Sequence, residues 1–240
     1  MPDALTSGAA LLAMALMPES AQVSSGHAPQ CRLPEHIPVP RAGRPPRPDE
    51  VRRRAIGGYT LALSWTPQFC ATTSARSMQC DKNIGRFGFI LHGLWPEGKG
   101  RSWPQYCKPA SVIPRAVVAE NLCATPSPQL MQHEWAKHGT CMAKDANAYF
   151  DRARGLYQAI NLPDMHILAR EQKLTAGQLA AAIARKNAGM TVDMIRVRSN
   201  RYGMLTDVWI CLDTLFKPSR CPSGKGGLAR NARIKIRTRY

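Results

Sequence analysis

Four short runs alternate apolar and polar residues along the chain. Tyr59–Trp65 (YTLALSW) and Phe87–Gly93 (FGFILHG) come early, Met190–Ser199 (MTVDMIRVRS) and Gly203–Asp213 (GMLTDVWICLD) come late, and all four carry the β-branched and aromatic content of strands. The segment Asn200–Gly203 joins the last two as a turn. Between the early and late pairs, Pro114–Leu122, Pro128–Gly139, Ala146–Ile160 and Thr175–Asn187 read as helices, from their Ala content, Pro at or near their starts and Gly or Asn near their ends. Strands, then helices, then strands predict an α+β fold with a mainly antiparallel central sheet packed with several helices.

The flanks are different. Ala9–Met17 (AALLAMALM) is the longest apolar run, too short to span a bilayer. It suits the core of a signal peptide over residues 1–22, although Asp3 and the absence of Lys or Arg before it leave a short buried helix open. Residues 23–57 interleave Pro34, Pro38, Pro40, Pro45, Pro46 and Pro48 with Arg41, Arg44, Arg47 and Arg52–Arg54, the composition of an extended, solvated arm. The end of the chain, residues 223–240, is Gly-rich and then basic and reads as a frayed tail.

Composition narrows the function classes. Of 240 residues 44% are hydrophobic, enough for a packed core. The 33 Lys and Arg against 16 Asp and Glu give a formal charge of +17, which favours a polyanionic partner, either nucleic acid or an anionic surface. Eight cysteines without a Cys-x-x-Cys pair point to disulfides and an oxidising compartment, hence a periplasmic or secreted protein.

The chemistry concentrates in two segments. In QLMQHEWAKHGTC, a helical period of about 100° per residue places His133, Lys137, Glu134 and His138 at about 0°, 40°, 100° and 140°, all on one side. Such a face is compatible with a merely solvated helix. Zinc binding of the HExxH type fails, because Lys137 stands where the second histidine is needed and an ammonium repels a divalent cation. In FGFILHGLWPEGKGRSWPQYC a strand delivers His92 at its end, and Gly93, Pro96 and Gly98 predict a turn presenting Trp95 and Trp103 at the surface.

Together the segments His92–Pro96 (HGLWP) and His133–Cys141 (HEWAKHGTC) resemble the two active-site signatures of the RNase T2 family, complete at every position. The likeness runs from about Tyr59 to Pro222, so residues 58–222 are expected to form a ribonuclease T2-like catalytic domain. The resemblance implies a metal-independent endoribonuclease, without cofactor and monomeric, acting on single-stranded RNA with low base specificity. In that reading His138 is the base toward the 2′-hydroxyl, His92 the acid toward the leaving 5′-oxygen, and His133 a phosphate ligand, with Lys137 and Glu134 stabilising the transition state. Trp95, Glu97 and Trp103 match base-contacting positions, with Glu and Trp where a fungal member has Asp and Tyr. The resemblance also pairs Cys70 with Cys80, Cys107 with Cys141 and Cys211 with Cys221, which leaves Cys31 with Cys123. An alternative from another class is a basic, secreted RNA-binding or toxin-like protein that keeps this scaffold without turnover.

Overall fold

A computed structural model of the chain describes residue 1 and residues 31–73, 77–100, 102–224 and 226–239. The expected signal peptide therefore lies outside the described residues, apart from Met1, as does the first part of the arm.

All four expected strands form, and they make one antiparallel sheet. Strand β1 (Ile56–Trp65) pairs with β2 (Phe89–Gly98) on one side and with β4 (Leu205–Leu212) on the other. Strand β3 (Ile195–Ser199) pairs with β4, giving the order β2-β1-β4-β3. Alternation assigns the faces. Tyr59, Leu61, Leu63 and Trp65 of β1, with Leu205, Val208, Ile210 and Leu212 of β4, enter the main core. Thr60, Ala62 and Ser64 fall between the core residues and pair across the sheet with Cys211, Trp209 and Asp207, so these positions share the opposite face. That second face carries the candidate chemistry.

The expected helices appear within a residue or two of their predicted ends: α2 (Arg115–Asn121), α3 (Pro128–Lys137), α4 (Ala146–Gln158) and α6 (Ala176–Lys186). Two short helices were not anticipated, α1 (Thr66–Thr72) and α5 (Met165–Leu168). Helix α1 follows β1 directly, because Pro67 marks a helical first turn there and not a break. Helix α3 starts where Ser127 Oγ accepts a hydrogen bond from the Leu130 amide at 3.3 Å and Pro128 needs no partner for an N–H.

Strand β2 lies at the sheet edge, which is why it tolerates Pro96. Its outer edge is nevertheless filled. The Leu91 amide donates to Ala124 O at 2.9 Å and the Thr125 hydroxyl donates to Leu91 O at 2.7 Å. From α4, the Tyr149 hydroxyl accepts from the Leu94 amide and donates to Leu94 O, both at 3.1 Å, while the Tyr157 hydroxyl donates to Phe89 O at 2.8 Å. One helix thus holds the strand on both sides of His92.

Both flanks depart from expectation. The described part of the arm is extended but not simply solvated: Pro40 is buried, Ile37 packs against the core, and the Arg41 backbone exchanges two hydrogen bonds with the Gln129 side chain. Cys31–Cys123 fixes its start, and Arg52 bridges to Gln105 near its end. The tail is not frayed. Ile234 and Ile236 are buried, the Leu205 amide donates to Lys235 O at 2.8 Å, and the Trp65 indole donates to Arg237 O at 2.7 Å.

Candidate active site

The turn expected after His92 does not form, because β2 continues to Gly98. What does form is a bulge. Leu91 pairs with Leu63 and Gly93 with Ala62, leaving His92 as the extra residue. In a regular strand His92 and Trp95, three residues apart, would point to opposite faces. The inserted residue brings them to the same face, with ring centroids 5.3 Å apart in an edge-on contact.

His92 is anchored from beneath. Its Nδ1 lies 2.8 Å from Ser64 Oγ, and that hydroxyl lies 2.7 Å from Asp207 Oδ1. On the other side, His92 Nε2 is 3.6 Å from Glu134 Oε1. Burial lowers the His92 pKa, as do His133 and Lys137, while Asp207 pushes it up.

Helix α3 supplies the rest, with its side split by depth. His133 is exposed and Lys137 half-buried, whereas Glu134 is 2% exposed and His138 5%. His138 caps the helix, and a 3-10 turn over Gly139–Cys141 follows, so the helix ends slightly earlier than Gly139. Glu134 Oε2 accepts from the Trp95 indole at 2.6 Å. One indole N–H does not replace bulk water, and burial raises the Glu134 pKa to about 8, against the lowering effects of Trp95 and Lys137. Burial drives His138 well below the ordinary histidine range, helped by Lys137, His133 and His92. Its Nδ1 is buried and, among the described residues, has no hydrogen-bond partner. His133, exposed at its rim but with part of its ring covered, is lowered as well, by that partial desolvation and by Lys137.

Two glycines permit this closeness. A Cβ on Gly93 would lie 2.0 Å from Glu134 Oε2 and 2.8 Å from the Trp95 indole nitrogen. A Cβ on Gly139 would lie 2.4 Å from the Trp135 ring and 2.9 Å from Tyr149. The Cys107–Cys141 disulfide and a hydrogen bond from the Tyr106 amide to Lys137 O, at 2.8 Å, tie the loop after β2 to the end of α3. All four disulfides have the expected pairings.

The three expected base-contacting residues are placed differently from one another. Trp95 is enclosed within the site: it stacks on His138 at 5.6 Å, meets Trp209 edge-on at 5.2 Å and gives its N–H to Glu134. Glu97, on the same face of β2, accepts from the Thr60 hydroxyl at 2.8 Å and lines a cavity of about 90 Å³ with Arg196 and Arg220. Trp103 is 42% exposed, with the Arg52 guanidinium 4.8 Å over its ring. Sequence reasoning missed Ser64, Asp207, Trp209 and Tyr149. An acid inside the apolar run LTDVWICL was the available signal for Asp207, but its pairing with Ser64 depends on strand register. Among the described residues no group of three or more His, Cys, Asp or Glu side chains is arranged to hold a metal ion, and no helix is long and apolar enough to cross a membrane.

Residues 56–221 match the Ribonuclease T2 family. The chain belongs to the ribonuclease T2 family. A ribonuclease of Aeromonas hydrophila is 34% identical over 158 residues, covering 65% of this chain and 71% of that protein. A probable ribonuclease of Haemophilus influenzae is 30% identical over 194 residues, covering 74% of this chain and 66%, just under two thirds, of that protein's length. Among solved structures, trichomaglin, described as an S-like ribonuclease, superimposes with a TM-score of 0.62 at 22% identity, covering 75% of this chain and 98% of that one. RNase NT, solved with 5′-AMP, gives a TM-score of 0.59 at 24% identity over 76% of this chain and 98% of that one. These two share the T2 fold with this chain.

Proposed function

We propose that this T2-family chain is an exported endoribonuclease that cleaves single-stranded RNA without a metal, by attack of the substrate's own 2′-hydroxyl. The observation that carries the reading is the pair His92 and His138, brought from two elements into contact with the same Trp95 ring and kept chemically unequal by their surroundings. His138 has a strongly depressed pKa, so it is neutral and able to take a proton over a wide pH range. His92 is opposed in its own depression by Asp207 and turns its Nδ1 to Ser64 Oγ, which suits its Nε2 to a proton donor's role.

In the first step His138 removes the 2′-hydroxyl proton as that oxygen bonds to phosphorus. The bond from phosphorus to the 5′-oxygen breaks, and His92 protonates the departing oxygen from Nε2. The product is a 2′,3′-cyclic phosphate. In the second step water replaces the alcohol, the proton movements reverse, and a 3′-phosphate results. Lys137 offsets the developing phosphoryl charge, and His133 at the rim holds the phosphate. Glu134, held neutral by burial below its pKa of about 8, donates a hydrogen bond to a phosphoryl oxygen without repelling it. Trp103 offers an exposed ring for stacking a base, an interaction of roughly 1–3 kcal/mol. Glu97 accepts from a base amino group, so Glu97→Gln alters base preference more than overall rate. Four disulfides fit the oxidising periplasm or extracellular space.

The test is a gel assay on single-stranded RNA in the presence of chelator, followed by end analysis of the products. Cyclic and 3′-phosphate ends are expected, with loss of activity by about 10²-fold or more in His92→Ala and His138→Ala. Binding without cleavage would sink the reading, as would cleavage that stops when metal is removed.

A further inference from the structure

Resting on the ribonuclease reading, we infer that Ser64 and Asp207 are positioning residues, which fix the tautomer of His92 and direct its Nε2 toward the scissile phosphate. The three atoms form a chain across three positions of the sheet face: His92 Nδ1 is 2.8 Å from Ser64 Oγ, which is 2.7 Å from Asp207 Oδ1. A serine hydroxyl has one proton, and a carboxylate can only accept. Ser64 therefore donates to Asp207, and its oxygen accepts from His92. That leaves the proton on Nδ1 and makes Nε2 the nitrogen that exchanges a proton with substrate.

Register makes this chain possible. Ser64 and Asp207 are direct cross-strand partners between β1 and β4, and the bulge at His92 brings its ring to the Ser64 side of β2. Both partners are half-buried, so water competes less for the hydrogen bonds than it would at the surface. Neither residue stands in the two signature segments, and neither reaches the reacting atoms; they act through His92.

The charges around His92 set the direction of the effect. From β4, Asp207 favours the protonated ring; from α3, His133 and Lys137 disfavour it, and Glu134 faces Nε2 at 3.6 Å. His138 stands at the end of α3, and Arg198 of β3 is the cross-strand partner of Asp207. Removing the Asp207 charge therefore makes His92 harder to protonate. Because His92 acts as the acid, activity must then fall at a lower pH than in the unmodified enzyme.

Three variants test this: Ser64→Ala, Ser64→Thr and Asp207→Asn. Ser64→Ala is expected to lower kcat by about tenfold to a hundredfold, the effect usual when the partner of a working histidine is removed, with KM little changed. Ser64→Thr keeps the hydroxyl and restores most of the rate. Asp207→Asn keeps an acceptor but not the charge, and the alkaline limb of its pH–rate profile moves to lower pH. Independently of activity, ¹⁵N spectra of the unmodified protein without RNA should show neutral His92 protonated at Nδ1, and this preference should vanish in Ser64→Ala. An Nε2-protonated His92, or an unchanged pH profile in Asp207→Asn, overturns the relay. If the tautomer is as inferred but no RNA is cleaved, the ribonuclease reading fails and the relay stands.

Discussion

A carboxyl group that is 2% exposed and receives one indole N–H, as Glu134 does, is easier to keep neutral than charged, and its pKa of about 8 follows from that. The consequence for stability has a definite sign. The folded-state pKa lies above the ordinary value of 4.5, so the folded chain binds more protons than the unfolded one between those limits. Stability associated with Glu134 is complete below pH 4.5 and is lost as pH rises toward 8. Glu134→Gln removes the ionisation and keeps an acceptor for Trp95. Its unfolding free energy should match that of the parent near pH 4 and exceed it by on the order of 1–3 kcal/mol at neutral pH, while turnover falls. His92, His133 and His138 have lowered pKa values and contribute the opposite slope, gaining stability as pH rises toward 6.5. These contributions are common to both proteins and cancel in the difference to first order. Thermal unfolding of the pair at several pH values measures it, and a difference that does not grow with pH contradicts the buried neutral acid.

At the scale of elements, α3 was legible in the sequence because a 3.6-residue period fixes which side chains share a side before any neighbour is known. The depth of each side chain on that side was not legible, since it depends on where β2 and α4 pack. Strand β2 misled in one respect. Gly93, Pro96 and Gly98 read as a turn, yet they serve a close approach to Glu134, an edge position and the crowding of Ser102 against Gly98. The bulge left a trace nonetheless: Leu91 and Leu94 both enter the core although three residues apart, which strict alternation forbids. With the strand held by Tyr149 and Tyr157 and the helix by Cys141, the Cys107–Cys141 bridge becomes the covalent tie between the two histidine elements. Replacing both cysteines by alanine opens a loop of 34 residues, for which chain entropy predicts a loss of about 3–4 kcal/mol. Below the melting temperature kcat should fall by more than in the Cys70→Ala/Cys80→Ala protein, whose bridge joins α1 to the turn at Met78–Cys80. Equal turnover in the two would show that the bridge contributes stability alone.

Across the whole molecule, the tail illustrates how charge can hide a pattern. RIKIR alternates with period two, and the structure follows it: Ile234 and Ile236 are buried while Arg233, Lys235 and Arg237 are exposed. Four glycines and prolines between Cys221 and Leu228, together with the basic count, made the segment read as frayed when its two isoleucines anchor it. Anchoring changes what its charges can do. A flexible cationic tail pays entropy on binding RNA, whereas these side chains project from a backbone already fixed by hydrogen bonds to Leu174, Gly203 and Leu205. With a formal charge of +17, kcat/KM on single-stranded RNA should fall as salt rises, by a slope of about −0.7 per phosphate neutralised. Arg233→Gln combined with Lys235→Gln should make that slope shallower and leave the melting temperature near that of the parent. Ile234→Ala should do the reverse, destabilising by about 2–5 kcal/mol with the slope unchanged. Salt titrations of kcat/KM on the three proteins separate the roles: a slope that stays the same without the two cations places the RNA track elsewhere on the surface, and a slope that changes in Ile234→Ala means that the anchor and the charges act as one unit.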